Sequence, residues 1–289
     1  MTPDRYPTAR RKRLAGELKR LRIAAGLTGE QVAEQLAPLG RWSASKVSRI
    51  ETGRVAAHHG DVADLLDLYG LGPGVLREEL VEIAREGGKH GWWQPYRDVL
   101  PGHLAPILAF EAVACSMRFM HNQLVPCLLQ TPDYARALVR SHRPDAAAGQ
   151  VDRLVELRLD RQRLLERTDP PQLWVVLDEA ALRRPVGGSR VMRGQLDRLL
   201  ERAEGPDTVV QVIPFAVGEH TALDMPFTIL SFSGSDPDVV YLEQPTTACY
   251  VDDERDVTSY HTFFDRLRSC ALDPRRSLAL IHQASRDLI

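Results

Sequence analysis

Residues Leu27 to Gly53 read LTGEQVAEQLAPLGRWSASKVSRIETG, and two helix starts are written into them. Thr28 is followed three residues later by Gln31. In that pattern the threonine oxygen accepts a free backbone amide and the glutamine bonds back to the cap. Val32, Ala33 and Leu36 then share one face, and Pro38 and Gly40 end the helix. Ser43 opens a second helix with Val47 and Ile50 on its inner side, and Gly53 stops it. The small Ala33 lets the two helices cross closely.

Working outward, the same periodicity continues on both sides. Leu14, Leu18, Leu21 and Ala25 recur at helical spacing before the stop at Gly26. Val62, Leu65, Leu66 and Tyr69 mark a further helix, as do Leu76, Leu80 and Ile83 or Ala84. A glycine-rich polar stretch, Gly87-Gly88-Lys89-His90-Gly91, follows. Such stretches mark domain boundaries, so residues 1–88 are expected to form one mainly α domain of about five helices, and residues 89–289 a second domain. Within the first, Leu27–Gly53 has the layout of a helix-turn-helix whose second helix is rich in Ser, Lys and Arg. Ser43, Ala44, Ser45, Lys46 and Arg49 project from its outer side and N-terminal end. Short side chains there allow close approach to a major-groove floor, and Lys46 and Arg49 can reach phosphates or guanine edges. Arg10 to Arg13 add a basic arm.

Charge supports this division. Residues 1–54 carry 12 lysines and arginines against 5 aspartates and glutamates, a net of +7, while the remainder carries 25 against 34, a net of −9. A basic segment on an acidic body suits a polyanion-binding head, although a solvated basic face would look the same. The formal total of −2 hides this split. No stretch approaches the ~20 uninterrupted apolar residues of a membrane span, and MTPDRYPTARRKR lacks the apolar core of a secretory signal. The expected compartment is the cytoplasm. Cys115, Cys127, Cys249 and Cys270 are too scattered for a disulfide framework or a structural zinc site.

The second domain changes character along its length. A helical stretch is expected from Ile107 to Asn122, then a loop punctuated by Pro126 and Pro132. A charged helix over 149–167 follows, with Leu154, Leu157, Leu164 and Leu165 as its apolar line. Leu173 to Leu177 and Thr208 to Ile213 read as strands, with a helix over 189–203 between them. Phe227 to Phe232 and Val239 to Leu242 are two more strands, and helices return over Asp253–Cys270 and Pro274–Leu288. The expected class is α+β, a small sheet flanked by helices.

Other candidates have plainer explanations. His58-His59 before a helix suits exposure or capping better than metal ligation. Gly187-Gly188-Ser189 could cradle an anion but more simply forms a turn and a cap. Asp252-Asp253-Glu254 sits where a helix start attracts acids anyway. Trp92, Trp93 and Tyr96 suit domain docking better than a ligand pocket. No nucleophile elbow, phosphate loop or zinc motif is present. No catalytic residue, cofactor or metal is therefore expected.

Two resemblances extend this reading. S-x-S-x-V-S-R-I-E-x-G, with Ser43, Ser45, Val47, Ser48, Arg49, Ile50, Glu51 and Gly53, resembles the recognition-helix signature of Xre-type regulators, relatives of lambda repressor. The resemblance spans residues 10–86. It implies that Glu51 pairs with a first-helix arginine, Arg20 or Arg22, as an internal brace. It also implies that Lys46 and Arg49 face DNA and that Arg54 lies near a phosphate. The sequence departs from that pattern in a longer segment, Ala37 to Trp42, between the two helices. Gly29 also stands where a phosphate-contacting Gln is common, leaving the amide end of that helix, at Thr28, to meet a phosphate.

The strings Leu124-Val125-Pro126-Cys127-Leu128-Leu129-Gln130-Thr131-Pro132-Asp133-Tyr134-Ala135, Leu177 to Leu182 and Gln211 to Phe215 resemble the C-terminal domain of a large actinobacterial family of Xre regulators described as antitoxin-like, although Cys127 stands where Gly is usual. That resemblance implies a cytoplasmic transcriptional regulator, often paired with a small partner protein. A homodimer on double-stranded DNA is expected because one short reading helix covers only a few base pairs and two half-sites multiply specificity. The second domain is expected to serve dimerisation or to bind a small partner protein or a small-molecule effector. A different class of function stays open beside it, an antitoxin-like interaction module for which DNA binding is secondary.

Overall fold

The computed structural model describes residues 9–40, 42–53, 57–87, 92–233, 237–244 and 246–288. Its contacts divide the chain into two units after Gln94.

The first unit contains five α-helices: α1 (Ala9–Ala24), α2 (Gly29–Gln35), α3 (Ala44–Glu51), α4 (His59–Leu68) and α5 (Val75–Gly87). Leu14 and Leu18 of α1, Val32 of α2, Val47 and Ile50 of α3, Val62, Leu65 and Leu66 of α4, and Leu80, Ile83 and Ala84 of α5 form one core. Most of the expected apolar positions are therefore buried, but Leu21 and Leu76 are only partly buried against the core, Ala33 is half-buried, and Ala25, just past the end of α1, is exposed.

The second unit is built on a six-stranded sheet. In chain order its elements are α6 (Ala105–Glu111), β1 (Ser116–His121), α7 (Pro132–His142), α8 (Ala148–Gln162), β2 (Gln172–Asp178), α9 (Ala180–Arg183), α10 (Ser189–Ala203), β3 (Thr208–Ile213), β4 (Phe227–Ser231), β5 (Val239–Glu243), β6 (Ala248–Val251), α11 (Glu254–Cys270) and α12 (Pro274–Asp287). The strand order is β3-β2-β1-β4-β5-β6. β1, β2 and β3 are parallel, joined by helical crossovers, and β4, β5 and β6 continue antiparallel. Met120, Val176, Ile213, Phe227, Ile229 and Val240 pack on Val257, Phe264 and Leu267 of α11. At the β3 edge, the Val212 amide donates to Ser277 Oγ at 3.0 Å and its carbonyl accepts from Leu272 N at 2.9 Å. Those bonds engage edge groups that would otherwise invite pairing with another chain.

Three expectations are corrected. The helix expected over Ile107–Asn122 ends at Glu111, and residues 116–121 form β1. Ser116 to His121 lacks β-branched residues, so propensity does not mark it. Its position between β2 and β4 supplies ladder partners on both sides and sets its conformation. Pro132 does not simply break a loop. It is the first residue of α7, where a missing amide costs nothing, and Thr131 caps the helix by accepting from Tyr134 N. β6 is a short further strand at the other edge, paired with β5 from Val240↔Val251 to Glu243↔Ala248.

The loop between β1 and α7 is held by glutamines. Gln162 Nε2 donates to the carbonyls of Cys127 and Gln130, and Gln195 Nε2 donates to that of Leu129. Gln195 Oε1 accepts from Thr131 N, and Tyr134 Oη accepts from Val125 N. Beside it, Glu111 is buried against Arg161 in a two-point pair with contacts of 2.5 and 2.6 Å.

Burial lowers the His121 imidazole from 6.5 to about 4, while a hydrogen bond with the Leu124 backbone acts the other way. The folded state therefore resists a proton that the unfolded state accepts. Its contribution is present above pH 6.5 and declines as the pH falls toward 4. Urea unfolding midpoints across that window are expected to fall less steeply for His121→Leu than for the natural chain. Equal slopes would show that His121 does not set this acid limb.

Candidate nucleic-acid interface

Two caps set the α2 and α3 starts. The Thr28 hydroxyl accepts from Gln31 N at 3.2 Å, and Thr28 N donates to Gln31 Oε1 at 2.8 Å. Ser43 Oγ accepts from Lys46 N at 3.2 Å. The longer intervening segment contains a short 3-10 turn, Ala37–Leu39, and Gly40 at φ 70°, a left-handed conformation that favours glycine. At Gly29, by contrast, an added Cβ would touch only Val47 Cγ1, at 3.9 Å. Packing does not require glycine there.

α3 presents distinct faces. Val47, Ile50 and Glu51 point inward. Ser43, Ser45, Ser48, Arg49 and Thr52 are exposed, whereas Ala44 and Lys46 are half-buried. Ser45, Ser48, Arg49 and Thr52 stand at the i, i+3, i+4, i+7 spacing of a single helix face. Ser48 and Thr52 were not singled out from sequence as contact residues, although the same spacing rule places them beside Arg49. Thr52 Oγ1 donates to the Ser48 carbonyl at 2.8 Å, and Arg49 Nε to the Ser45 carbonyl at 3.3 Å. Arg54 lies outside the described residues, and so do the side chains of Arg10, Arg11 and Lys12.

Two ion pairs hold this helix. Arg22 is the arginine that meets Glu51. Its Nε and Nη2 donate to the two carboxylate oxygens at 2.8 and 2.9 Å, and its Nη1 reaches the Leu27 carbonyl at 2.8 Å. Arg20 pairs with Glu17 instead. The Tyr69 hydroxyl lies 3.4 Å from Glu51 Oε1, and burial together with that carboxylate raises its pKa well above the usual phenol range. Near the other end of α3, Lys46 Nζ lies 2.9 Å from Asp61 Oδ2 and 4.6 Å from the Trp42 ring centroid.

The remaining sequence candidates resolve into local structure. His58 caps α4 through Nδ1, which accepts from Gly60 N. Gly187 and Gly188 both have positive φ, and a Cβ on Gly187 would come within 2.9 Å of Val191 Cγ1. Asp253 caps α11, accepting from Arg255 N and Asp256 N. Cys127 lies in a 3-10 turn, Cys127–Leu129, and no described residue other than glycine has positive φ. Trp92 and Trp93 meet edge to face with centroids 6.0 Å apart. Among the described residues, no His, Cys, Asp and Glu side chains group to hold a metal, and no helix is long and apolar enough to cross a membrane.

Comparison with known families matches both units. Residues 13–80 match a family described as a helix-turn-helix domain. Residues 104–283 match a family described as a domain of unknown function, DUF5753. The chain belongs to the DUF5753 family. No curated protein and no solved structure matches it. The family's description carries no activity, so the functional reading starts from the helix-turn-helix unit and its link to DNA.

Removing Glu51 would leave Arg22 without its carboxylate at a site only 15% exposed. Glu51→Ala is expected to cost the first unit about 3–5 kcal/mol, as for other broken buried pairs. Urea unfolding of the full chain, followed by hydrogen exchange of α1 and α3 amides, measures it. A loss below about 1 kcal/mol would place this pair among surface ion pairs in effect.

Proposed function

We propose that this protein is a sequence-specific transcriptional regulator that inserts α3 into the major groove of duplex DNA. The observation that carries the reading is the exposed face of α3. It offers three hydroxyls and one guanidinium at one spacing, on a helix whose other sides are buried or ion-paired. Serine and threonine contact either base edges or phosphates, and arginine is suited to the two acceptors of guanine. Ser43 and Thr28, at the amide ends of α3 and α2, suit contacts to the backbone that fix register.

One such helix spans only a few base pairs. A homodimer on two half-sites about one helical turn apart would supply the missing specificity. The second unit, acidic in the balance of its charges, is suited to a small partner protein or an effector rather than to the duplex. The cytoplasm is the compartment this role requires.

Selection of bound duplexes from a random pool by the full chain tests the reading. An inverted repeat is the expected outcome, and recovery of no enriched sequence would refute it. Against the selected site, Arg49→Ala is expected to weaken binding by about 1–3 kcal/mol and to relax the preference at one position per half-site. Unchanged affinity and preference in the folded variant would remove Arg49 from the reading set.

A further inference from the structure

Lys46 was expected among the DNA contacts, yet its surroundings point elsewhere. Its ammonium is 2.9 Å from Asp61 Oδ2 and lies over the Trp42 ring. Asp61 is 8% exposed and sits in the first turn of α4, where the helix terminus favours a negative charge. Trp42 in turn packs against the core of the unit. Lys46 also belongs to the row Lys46, Ile50 and Gly53, and Ile50 and Gly53 are buried. Arg49, three residues beyond Lys46, is exposed.

We propose that Lys46 is a positioning residue. It fixes the first turn of α3 on α4 through Asp61 and Trp42, and so sets the depth and angle at which Ser45, Ser48 and Arg49 meet the base edges. A lysine bound to a phosphate gives up condensed counterions when it binds. A lysine already neutralised by a partly desolvated carboxylate has no such role, but its loss removes the ion pair and the ring contact that tie the first turn of α3 to α4 and Trp42, while the far end stays anchored at Arg22–Glu51. The two roles therefore separate in salt dependence and in discrimination. This inference rests on the DNA-binding reading above.

The experiment measures binding of the full chain by fluorescence anisotropy over a sodium chloride series. The probes are the selected duplex and a shuffled duplex of equal length. Lys46→Met keeps the natural chain's salt slope on the shuffled duplex but loses about tenfold of its preference for the selected one, the scale of one misread base pair. Asp61→Asn gives the same loss, and the double variant loses no more than either single one. Lys46→Arg, which retains a cation beside Asp61, keeps both slope and preference and covers the case of a Met variant that does not fold. A salt slope reduced by about 0.9 in Lys46→Met, or full discrimination in folded Asp61→Asn, would overturn the proposal. A natural chain that binds neither duplex refutes the DNA-binding reading itself and this inference with it. Binding by the natural chain followed by a reduced slope refutes only the positioning role.

Discussion

The arrangement of the first unit depends on a buried carboxylate. Glu51, at the C-terminal end of α3, has both oxygens occupied by Arg22 of α1 and a tyrosine hydroxyl beside one of them. Taking a carboxylate out of water costs several kcal/mol, and a single surface-like contact would not offset it. Two-point guanidinium geometry does offset it, but only at one mutual placement of the helices. The third Arg22 contact, to the Leu27 carbonyl, ties the turn between α1 and α2 into the same placement. Burial of Val47 and Ile50 already turns one face of α3 inward. The ion pair adds a directional constraint at the C-terminal end of that helix.

Much of this was legible in the chain because it is local. The Thr28–Gln31 cap, the Ser43 cap and the stops at Gly26, Gly40 and Gly53 depend on residues within one turn of each other, and all five glycine and cap positions behave accordingly. The bounds of α10 and β3 were legible for related reasons: a glycine pair opens the helix and a β-branched run marks the strand. β1 was not legible. Met117, Arg118, Phe119 and Met120 suit a helix as well as a strand, and α6 immediately precedes them. Only pairing with β2, some fifty residues on, and β4, more than a hundred residues on, settles their conformation. The same limit hid the environment of Lys46. Helical spacing within α3 is visible, but the carboxylate that captures its ammonium comes from α4.

In the second unit, the string from Leu124 to Ala135 that carries the family resemblance is largely consumed by internal bonds. Gln162 and Gln195 take the carbonyls of Cys127, Leu129 and Gln130, Gln195 also receives the Thr131 amide, and Tyr134 receives that of Val125. Backbone groups in a buried irregular loop must find partners, and side-chain amides serve because each offers a donor and an acceptor. The string therefore marks the means by which the loop between β1 and α7 is buried, and it assigns no chemistry to that loop.

The charge division also takes on a more specific meaning. A net of +7 over residues 1–54 is a count of residues, whereas DNA responds to charges that are not already neutralised nearby. Arg13 faces Glu79, Arg20 faces Glu17, Arg22 faces Glu51 and Lys46 faces Asp61. Two of those carboxylates, Glu79 and Asp61, lie beyond residue 54, so the split by sequence overstates the separation present in the fold. On α3 the outward guanidinium of Arg49 stands among hydroxyls. Under the proposed reading, discrimination by this face comes from the geometry of a few contacts, which the two ion pairs on α3 help to set, and not from the count of lysines and arginines in the segment.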